Sequence, residues 1–248
     1  GLWAARCRHY GDRVCHREKE LGIWQEYSWK VYHDSARLIG LALMELGVKK
    51  GEPVLILAED RREWLYCDLG AAAIGAIPAG VYTTDSPSQL AYLANDCGAR
   101  VLFVENDEQL DKFLEARVEM PGVERVVVFD REGLATFSDE QVMFLDEFYA
   151  LGEQAENPER FEAALSEVQP EDPRMLIYTS GTTGRPKGCM LTHKNLMFEV
   201  ENVIAALDDV FQAPGSSTLL FLPVAHVFGR LIQLGAVRAK ARLGHAPD

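Results

Sequence analysis

One stretch of eleven residues, 178–188, combines the side chains and the backbone freedom that a phosphate site needs. It holds four serine or threonine hydroxyls, three glycines and one lysine. Glycines let backbone N–H groups approach an anion closely, hydroxyls add donors, and a lysine supplies compact positive charge. The stretch predicts a nucleotide-phosphate loop. Its expected ligand contacts are Thr179, Ser180, Gly181, Thr182, Thr183, Gly184 and Lys187.

This loop follows neither of the two common phosphate-binding patterns. The Walker pattern Gly-x-x-x-x-Gly-Lys requires a second glycine five positions after Gly181, where this chain has Pro186. The dinucleotide pattern Gly-x-Gly-x-x-Gly is not matched either. A solvated loop rich in glycine and hydroxyls is the alternative interpretation. Residues 175–177 predict a short buried strand before the loop, and a helical pattern capped by Thr192 comes after it. We therefore expect a strand-to-helix connection, with the helix N-terminus facing the phosphates.

A second stretch, residues 222–229, follows a predicted strand and contains His226 in apolar company. Side chains at the end of such a strand can face a ligand site. A lone histidine among apolar residues is nevertheless more often a packed residue than a functional one, so the residues alone leave both interpretations open.

The two stretches together resemble a known enzyme family. The ordered string Tyr-Thr-Ser-Gly-Thr-Thr-Gly-x-Pro-Lys-Gly is similar to that of the adenylate-forming (AMP-binding) superfamily, which comprises acyl-CoA synthetases, luciferases and peptide-synthetase adenylation domains. The string Leu-Pro-x-x-His-x-Phe-Gly resembles the next motif of that superfamily. The resemblance implies that Thr179, Lys187 and His226 act in catalysis. It also implies that His226, Phe228 and Gly229 border the carboxylate substrate, with the imidazole orienting the acyl group rather than attacking it.

Residues 73–84 and Arg230 resemble long-chain fatty acyl-CoA synthetases in particular. That resemblance implies ATP-dependent formation of an acyl-adenylate from a long-chain fatty acid, followed by thioesterification to coenzyme A, with Mg²⁺ as a partner of ATP. Two alternatives stay open. The enzyme could act on aryl, short-chain or amino acids, or the chain could be a non-catalytic nucleotide-binding module. A plain helix-to-strand turn of small residues would also explain residues 73–84.

The same resemblance predicts that residues 1–248 are the N-terminal part of an adenylation domain. Its C-terminal half and lid domain, which in the family carry the magnesium glutamate, the ribose aspartate and an adenylation lysine, are expected outside this sequence. On its own the fragment is expected to be inactive or severely impaired.

Alternating strand and helix patterns predict an α/β fold with a mostly parallel sheet and helices on both faces. The predicted strands are 53–57, 77–81, 101–104, 126–129, 175–177 and 218–222. The predicted helices are 28–46, one capped by Asp60 that reaches Ala76, one from the capping box at Ser86 to Cys97, 108–118, a short one around Phe148, 157–168, and one around 196–207.

Charge and composition narrow the partners and the compartment. The net charge of −13 argues against nucleic acid or an anionic membrane surface as ligand, and makes Arg185 and Lys187 a local exception. Five scattered cysteines without a Cys-x-x-Cys pair predict reduced, mostly buried thiols and no metal site. No signal peptide or spanning segment is evident, so we expect a cytoplasmic protein. Peripheral membrane contact and the oligomeric state stay open.

Overall fold

Helices and strands alternate through most of the chain. The structure is a computed structural model that describes residues 2–155, 157–179, 184–211, 213 and 215–245. The helices are α1 (Leu2–Tyr10), α2 (Trp29–Glu45), α3 (Arg62–Ala73), α4 (Pro87–Cys97), α5 (Asp107–Ala116), α6 (Leu145–Gln154), α7 (Pro158–Glu167), α8 (His193–Ala206), α9 (Asp208–Phe211) and α10 (Val227–Ala239). The strands are β1 (Val14–Glu20), β2 (Ile23–Ser28), β3 (Pro53–Leu57), β4 (Ile77–Val81), β5 (Val101–Val104), β6 (Arg125–Val128), β7 (Val142–Phe144), β8 (Pro173–Thr179), β9 (Lys187–Thr192), β10 (Ser217–Leu220) and β11 (Arg242–His245).

The strands form two sheets, one of seven strands and one of four. The larger sheet has the order β7-β6-β5-β3-β4-β8-β9, and all its neighbours are parallel except β8 and β9. The smaller sheet has the order β10-β11-β1-β2, in which only β1 and β2 are antiparallel. The predicted α/β class with a mostly parallel sheet is confirmed.

Both faces of the larger sheet are buried. Along β3, Val54 and Ile56 face one apolar cluster, which also contains side chains of α2, α3 and α6, whereas Leu55 and Leu57 face a second cluster with α4 and α5. This alternation follows from the two-residue period of a strand, and covered faces on both sides account for the uninterrupted apolar run of β3. The sheet is thus a rigid platform whose strand ends can carry a site.

Several predicted elements are confirmed together with their end signals. The strands 53–57, 77–81 and 101–104 have the predicted bounds. Helix α4 begins with a complete capping box, in which Ser86 Oγ accepts from the Gln89 amide at 3.2 Å and Gln89 Oε1 accepts from the Ser86 amide at 2.9 Å. It ends at Gly98 with a φ of 72°, a left-handed conformation that glycine adopts at low cost.

The prediction that Asp60 caps a helix reaching Ala76 is wrong. Helix α3 starts after Arg61, which makes no side-chain cap bond, and it ends at Ala73. Instead, Asp60 Oδ1 accepts from the backbone amide of Val224 at 2.8 Å. The carboxylate therefore holds a distant segment of the chain rather than the helix terminus beside it.

The predicted strand-to-helix connection at the loop is also wrong, because strand β9 lies between the loop and helix α8. Sequence patterns also missed α1, β1, β2, β7, α9, α10 and β11. Strand β9 is exposed along most of its length, and β2 likewise, so neither shows the apolar alternation by which a strand is recognised.

The edges and ends of the smaller sheet carry apolar side chains in contact with solvent. Strand β10 is an outer strand of that sheet, and Leu219 on it is 47% exposed, with Phe221 just after it 67% exposed. None of the described helices is long and apolar enough to cross a membrane.

Candidate functional site

The phosphate-loop stretch is the turn of a β-hairpin. Strands β8 and β9 pair antiparallel, with Thr179 opposite Lys187 and Ile177 opposite Cys189. Residues directly opposite each other project to the same face of a sheet, so Lys187 shares a face with Thr179 and Ile177. Both the threonine and the lysine are exposed at the end of the hairpin where the loop joins the two strands. The predicted contacts Ser180, Gly181, Thr182 and Thr183 lie outside the described residues.

Two tyrosine hydrogen bonds, one from α4 and one from β8, hold the loop end of this hairpin against helix α4. Tyr92 Oη donates to the carbonyl oxygen of Pro186 at 2.8 Å, and Tyr178 Oη donates to Asp96 Oδ2 at 2.7 Å. The guanidinium of Arg185 lies 5.2 Å from the centre of the Tyr92 ring. Sequence analysis missed Tyr92 and Asp96, although their four-residue spacing places them on one face of the capping-box helix.

His226 is the N-cap residue of helix α10, and its ring is held by the capping hydrogen bond. Its Nδ1 atom accepts from the backbone amide of Phe228 at 3.2 Å. In the neutral ring the proton then resides on Nε2, which leaves that nitrogen able to donate a hydrogen bond. The imidazole is exposed, so it is not the packed core histidine of the alternative interpretation.

The segment before His226 rests on the end of β4. A Cβ atom at Gly80 would lie 2.6 Å from Ala225 Cα and 2.9 Å from Ala225 Cβ, a separation that only glycine tolerates. On the helix side, a Cβ at Gly229 would lie 2.5 Å from the Pro223 carbonyl oxygen. Two close approaches therefore fix the path of residues 223–229, and with the Asp60 bond they fix the place of His226.

The two motifs meet at one cleft of about 320 Å³ at the ends of β4 and β8. Thr179 and His226 both line it, and Lys187 begins β9 beside it. Phe228 and Gly229 do not line this cleft: Phe228 is 52% exposed on α10 and Gly229 is buried. The cleft is lined by Gly80, Tyr82, Asp85, Gln89, Tyr92, Leu93, Ile177, Tyr178, Thr179, Pro186, His226 and Val227.

A larger cavity of about 770 Å³ lies elsewhere, between α1, α3, α7, α8 and α10. Its walls are mostly apolar and include Leu69, Met197 and Phe198, but no residue of the loop 178–188 or of the segment 222–229. Size alone would favour this cavity. We place the candidate site in the smaller cleft because both motifs converge there.

The charges around the cleft are mixed. Arg185 and Lys187 are exposed cations at the hairpin end, as predicted for a local exception in an acidic chain. On the opposite wall, burial raises the pKa of Asp85, although the positive charge of Lys112 opposes this effect. The described residues contain no group of three or more histidine, cysteine or acidic side chains that could hold a metal ion.

Helix α8 does not face the loop, contrary to the prediction. Thr192 caps it as expected, with its side chain accepting from the Asn195 amide at 3.1 Å. Strand β9 runs back along β8, however, so Thr192 pairs with Pro173 at the far end of the hairpin. Six residues of strand separate this helix N-terminus from Lys187, roughly 17–20 Å. The partial charge of the α8 terminus therefore does not act at the loop.

Known proteins resemble nearly the whole of this chain in sequence. A family model described as AMP-binding enzyme matches residues 3–248. The long-chain-fatty-acid–CoA ligase FadD15 of Mycobacterium bovis is 32% identical over 237 residues, which is 96% of this chain and 38% of that protein. The long-chain-fatty-acid–CoA ligase ACSBG1 of Homo sapiens is 31% identical over 227 residues, which is 91% of this chain and 31% of that protein.

Solved structures share the fold. The A-PCP didomain of carboxylic acid reductase from Segniliparus rugosus, in complex with AMP, matches 99% of this chain and 38% of its own with a TM-score of 0.82 at 20% identity. At that identity the likeness concerns the fold alone. The chain spans less than two-fifths of each of these three proteins.

Proposed function

The chain belongs to the AMP-binding enzyme family, and we propose that it supplies the phosphate loop and the His226 wall of an ATP-dependent carboxylate-activating enzyme. In the proposed reaction, a carboxylate oxygen attacks the α-phosphorus of ATP and pyrophosphate leaves. The thiol of coenzyme A then attacks the acyl carbon, and AMP leaves. The observation that carries the proposal is the convergence of both motifs on one cleft.

Long-chain fatty acids are the proposed carboxylates. The support comes from the relatives, since both FadD15 and ACSBG1 are long-chain-fatty-acid–CoA ligases at about 30% identity over more than nine-tenths of this chain. Residues 73–84, whose resemblance pointed to the same branch, include the end of β4 with Gly80 at the cleft.

Lys187 and the loop donors have an electrostatic role in this proposal. Pyrophosphate carries away negative charge, so preorganised donors and a fixed cation near the β- and γ-phosphates stabilise the transition state. Thr179 and Lys187 are suited to that role because the pairing of β8 with β9 holds them opposite each other next to the loop. No general base is required for adenylate formation, because the carboxylate is already ionised at neutral pH.

His226 has an orienting role. With Nδ1 engaged by the Phe228 amide, Nε2–H is the donor that can hold the acyl carboxylate against the α-phosphate. Magnesium would enter with ATP and neutralise phosphate charge, and coenzyme A would enter as the second substrate.

We also propose that residues 1–248 form the N-terminal part of a larger adenylation domain. The chain covers 38% and 31% of the two ligases it resembles, and the other parts of an active enzyme would lie outside it. The complete reaction is therefore assigned to the full-length gene product, and phosphate binding to this portion of it.

Isotope exchange between ATP and pyrophosphate tests this function. The full-length gene product is assayed with palmitate, acetate, benzoate and an amino acid, and we expect exchange that depends on palmitate. Exchange with benzoate or the amino acid, but not palmitate, would assign the enzyme to another branch of the family. Binding of ATP without exchange for any carboxylate would favour a non-catalytic nucleotide-binding module.

A further inference from the structure

A buried cluster of charged side chains lies between α3, β8 and α10. The carboxylate of Asp68 on α3 has no solvent exposure, and Arg174 on β8 donates to both of its oxygens, Nη1 to Oδ1 at 2.9 Å and Nη2 to Oδ2 at 2.5 Å. Arg230 on α10 also donates to Asp68 Oδ1, and Gln233 Nε2 donates to Oδ2 at 3.1 Å. One carboxylate thus receives hydrogen bonds from two different elements.

Those two elements are the ones that carry the two motifs. Arg174 is the second residue of β8, the strand that ends at Thr179 and enters the loop. Arg230 lies four residues after His226 on α10, about one helical turn from the N-terminus that the imidazole caps. Asp68 therefore joins the start of the loop strand to the start of the His226 helix through hydrogen bonds, in addition to the apolar packing of α10 against β8.

The charges and the burial of this cluster shift the pKa of Asp68 and that of Arg230. Burial alone would raise the pKa of Asp68, but the guanidinium groups of Arg174 and Arg230 outweigh burial and lower it to about 2. Burial lowers the pKa of Arg230 to about 10 despite the attraction of Asp68. A buried cluster with more cations than anions is a poor way to gain stability, and in some proteins such groups are kept because they select one arrangement of the chain.

Further contacts restrain the Arg230 side chain. Its guanidinium lies 4.2 Å from the centre of the Trp64 ring on α3, and Nη2 donates to the Pro78 carbonyl oxygen on β4 at 3.4 Å. The separate bond from the Val224 amide to Asp60 holds the other side of the His226 segment against the residues that precede α3. Rotation of α10 relative to β8 would break several of these contacts at once.

We propose that Asp68 is a positioning residue that sets the distance between the phosphate loop and His226. This inference rests on the proposed function, because the distance matters for catalysis only if the carboxylate at His226 must reach the α-phosphate held by the loop. Removal of Asp68 would leave both arginines buried without their shared anion and allow the two motifs to separate. A displacement of about 1 Å in such a site can lower the rate by a hundredfold.

Three variants separate positioning from stability. Asp68→Asn removes the shared charge. Asp68→Asn with Arg174→Gln also removes one cation, so it relieves the charge imbalance while the ionic link between α3 and β8 stays broken. Glu63→Gln is the matched control, because Glu63 is on the same helix, is buried, and pairs with Arg61 and Arg62 rather than with either motif element.

Steady-state exchange kinetics in the full-length product, normalised to active sites, are the first readout. We expect the double variant to melt at a higher temperature than Asp68→Asn and yet to lose at least tenfold in kcat relative to the wild type, with KM for ATP changed less than threefold. Glu63→Gln is expected to lower the melting temperature and keep kcat. If kcat recovers together with the melting temperature in the double variant, Asp68 is only a structural residue and the inference is overturned.

A distance measurement makes the test independent of catalysis, so failure of the proposed function is distinguishable from failure of this inference. Spin labels are placed on the exposed Cys189 and on Phe228→Cys, with the half-buried Cys97 changed to serine. We expect one narrow distance distribution in the otherwise unaltered chain and a broadened or shifted one in the double variant. An unchanged distribution would overturn the inference even in a protein without exchange activity.

Discussion

The two cations at the loop end of the hairpin, Arg185 and Lys187, differ in how free they are to bind a phosphate. Arg185 packs its guanidinium against Tyr92, which itself holds the Pro186 carbonyl. Lys187 is exposed at the first position of β9, on the same face as Thr179. The lysine is therefore the side chain that we expect to neutralise the departing pyrophosphate.

Replacement of that lysine tests its role. In the full-length product, Lys187→Ala is expected to lower the rate of adenylate formation roughly a hundredfold, as loss of one preorganised charged donor does elsewhere, with little change in carboxylate affinity. Lys194→Ala is the matched control, because Lys194 pairs with the exposed Glu171 at the other end of β9. Unchanged pyrophosphate release in Lys187→Ala would show that the lysine has been misassigned.

His226 offers a sharper comparison, because its two ring nitrogens have separate tasks. Asparagine is a good N-cap residue, so His226→Asn can keep the cap of α10 while it removes the Nε2 donor. His226→Ala removes both, and the lost cap is expected to cost about 1 kcal/mol of stability. We expect both variants to raise KM for the carboxylate in exchange assays, and only the alanine variant to unfold at lower urea concentration. An alanine variant as stable as the wild type would mean that Nδ1 contributes no cap.

Among the elements, the central strands were predictable and the hairpin was not. The apolar run 53–57 and the capping box at Ser86 are local signals, and the structure reproduces them. Strand β9 is exposed, and its pairing depends on β8 across the loop, so no pattern in its own residues indicates a strand. The helix expected directly after the loop was consequently placed at the wrong end of the site.

The site residues remain predictions. The loop residues and His226 were proposed because ordered strings of residues resemble those of the family. Asp60, Tyr92 and Asp68 were missed as site residues because each acts through a contact that spans the fold, such as the bond from the Val224 amide to Asp60 across 164 positions. Contacts of this kind leave no local spacing that a single sequence can reveal.

The close approach of β4 to the His226 segment gives a prediction for a strand position. Gly80→Ala would place a methyl group 2.6 Å from Ala225 Cα, so the segment must move or the strand must bend. We expect a loss of about 1–3 kcal/mol in urea unfolding, typical of overpacking. Gly122→Ala is the control, because nothing lies within 4 Å of its added methyl group. A crystal structure of Gly80→Ala in which neither Ala225 nor β4 has moved would contradict the argument.

Two histidines with buried ring nitrogens, His193 and His245, make the stability of the folded chain sensitive to acid. Burial, aided by the positive charge of Arg174, lowers the pKa of His193 to about 4, and burial also lowers the pKa of His245 to about 4. Both ring nitrogens of His245 and Nε2 of His193 are buried without a hydrogen-bond partner in the described part of the chain. Protonation would therefore place unpaired charge in the interior.

The sign of the pH dependence follows from these shifts. Below the ordinary histidine pKa the unfolded chain binds protons that the native chain does not, so stability falls as the pH drops from about 6.5 toward 4. Asp68, whose pKa is lowered, costs stability only at still lower pH, below about 3.8. We expect the unfolding free energy in urea to decrease on the order of 2 kcal/mol per buried histidine over that window.

Substitution of one histidine tests this account of acid sensitivity. His193→Gln is expected to flatten the decrease between pH 6.5 and 4, whereas His9→Gln, at an exposed position on α1, should leave it unchanged. Equal slopes for wild type and His193→Gln would contradict the assignment.

The outer edge of β10 has a consequence for the handling of the isolated chain. Its backbone donors and acceptors on that side have no partner strand among the described residues, and Leu219 and Phe221 lie in solvent beside them. Such an edge is a template for the addition of strands from other molecules, and natural proteins commonly protect it with charge. Light scattering of the purified 248-residue chain should therefore increase with concentration and time, and Leu219→Lys should suppress the increase.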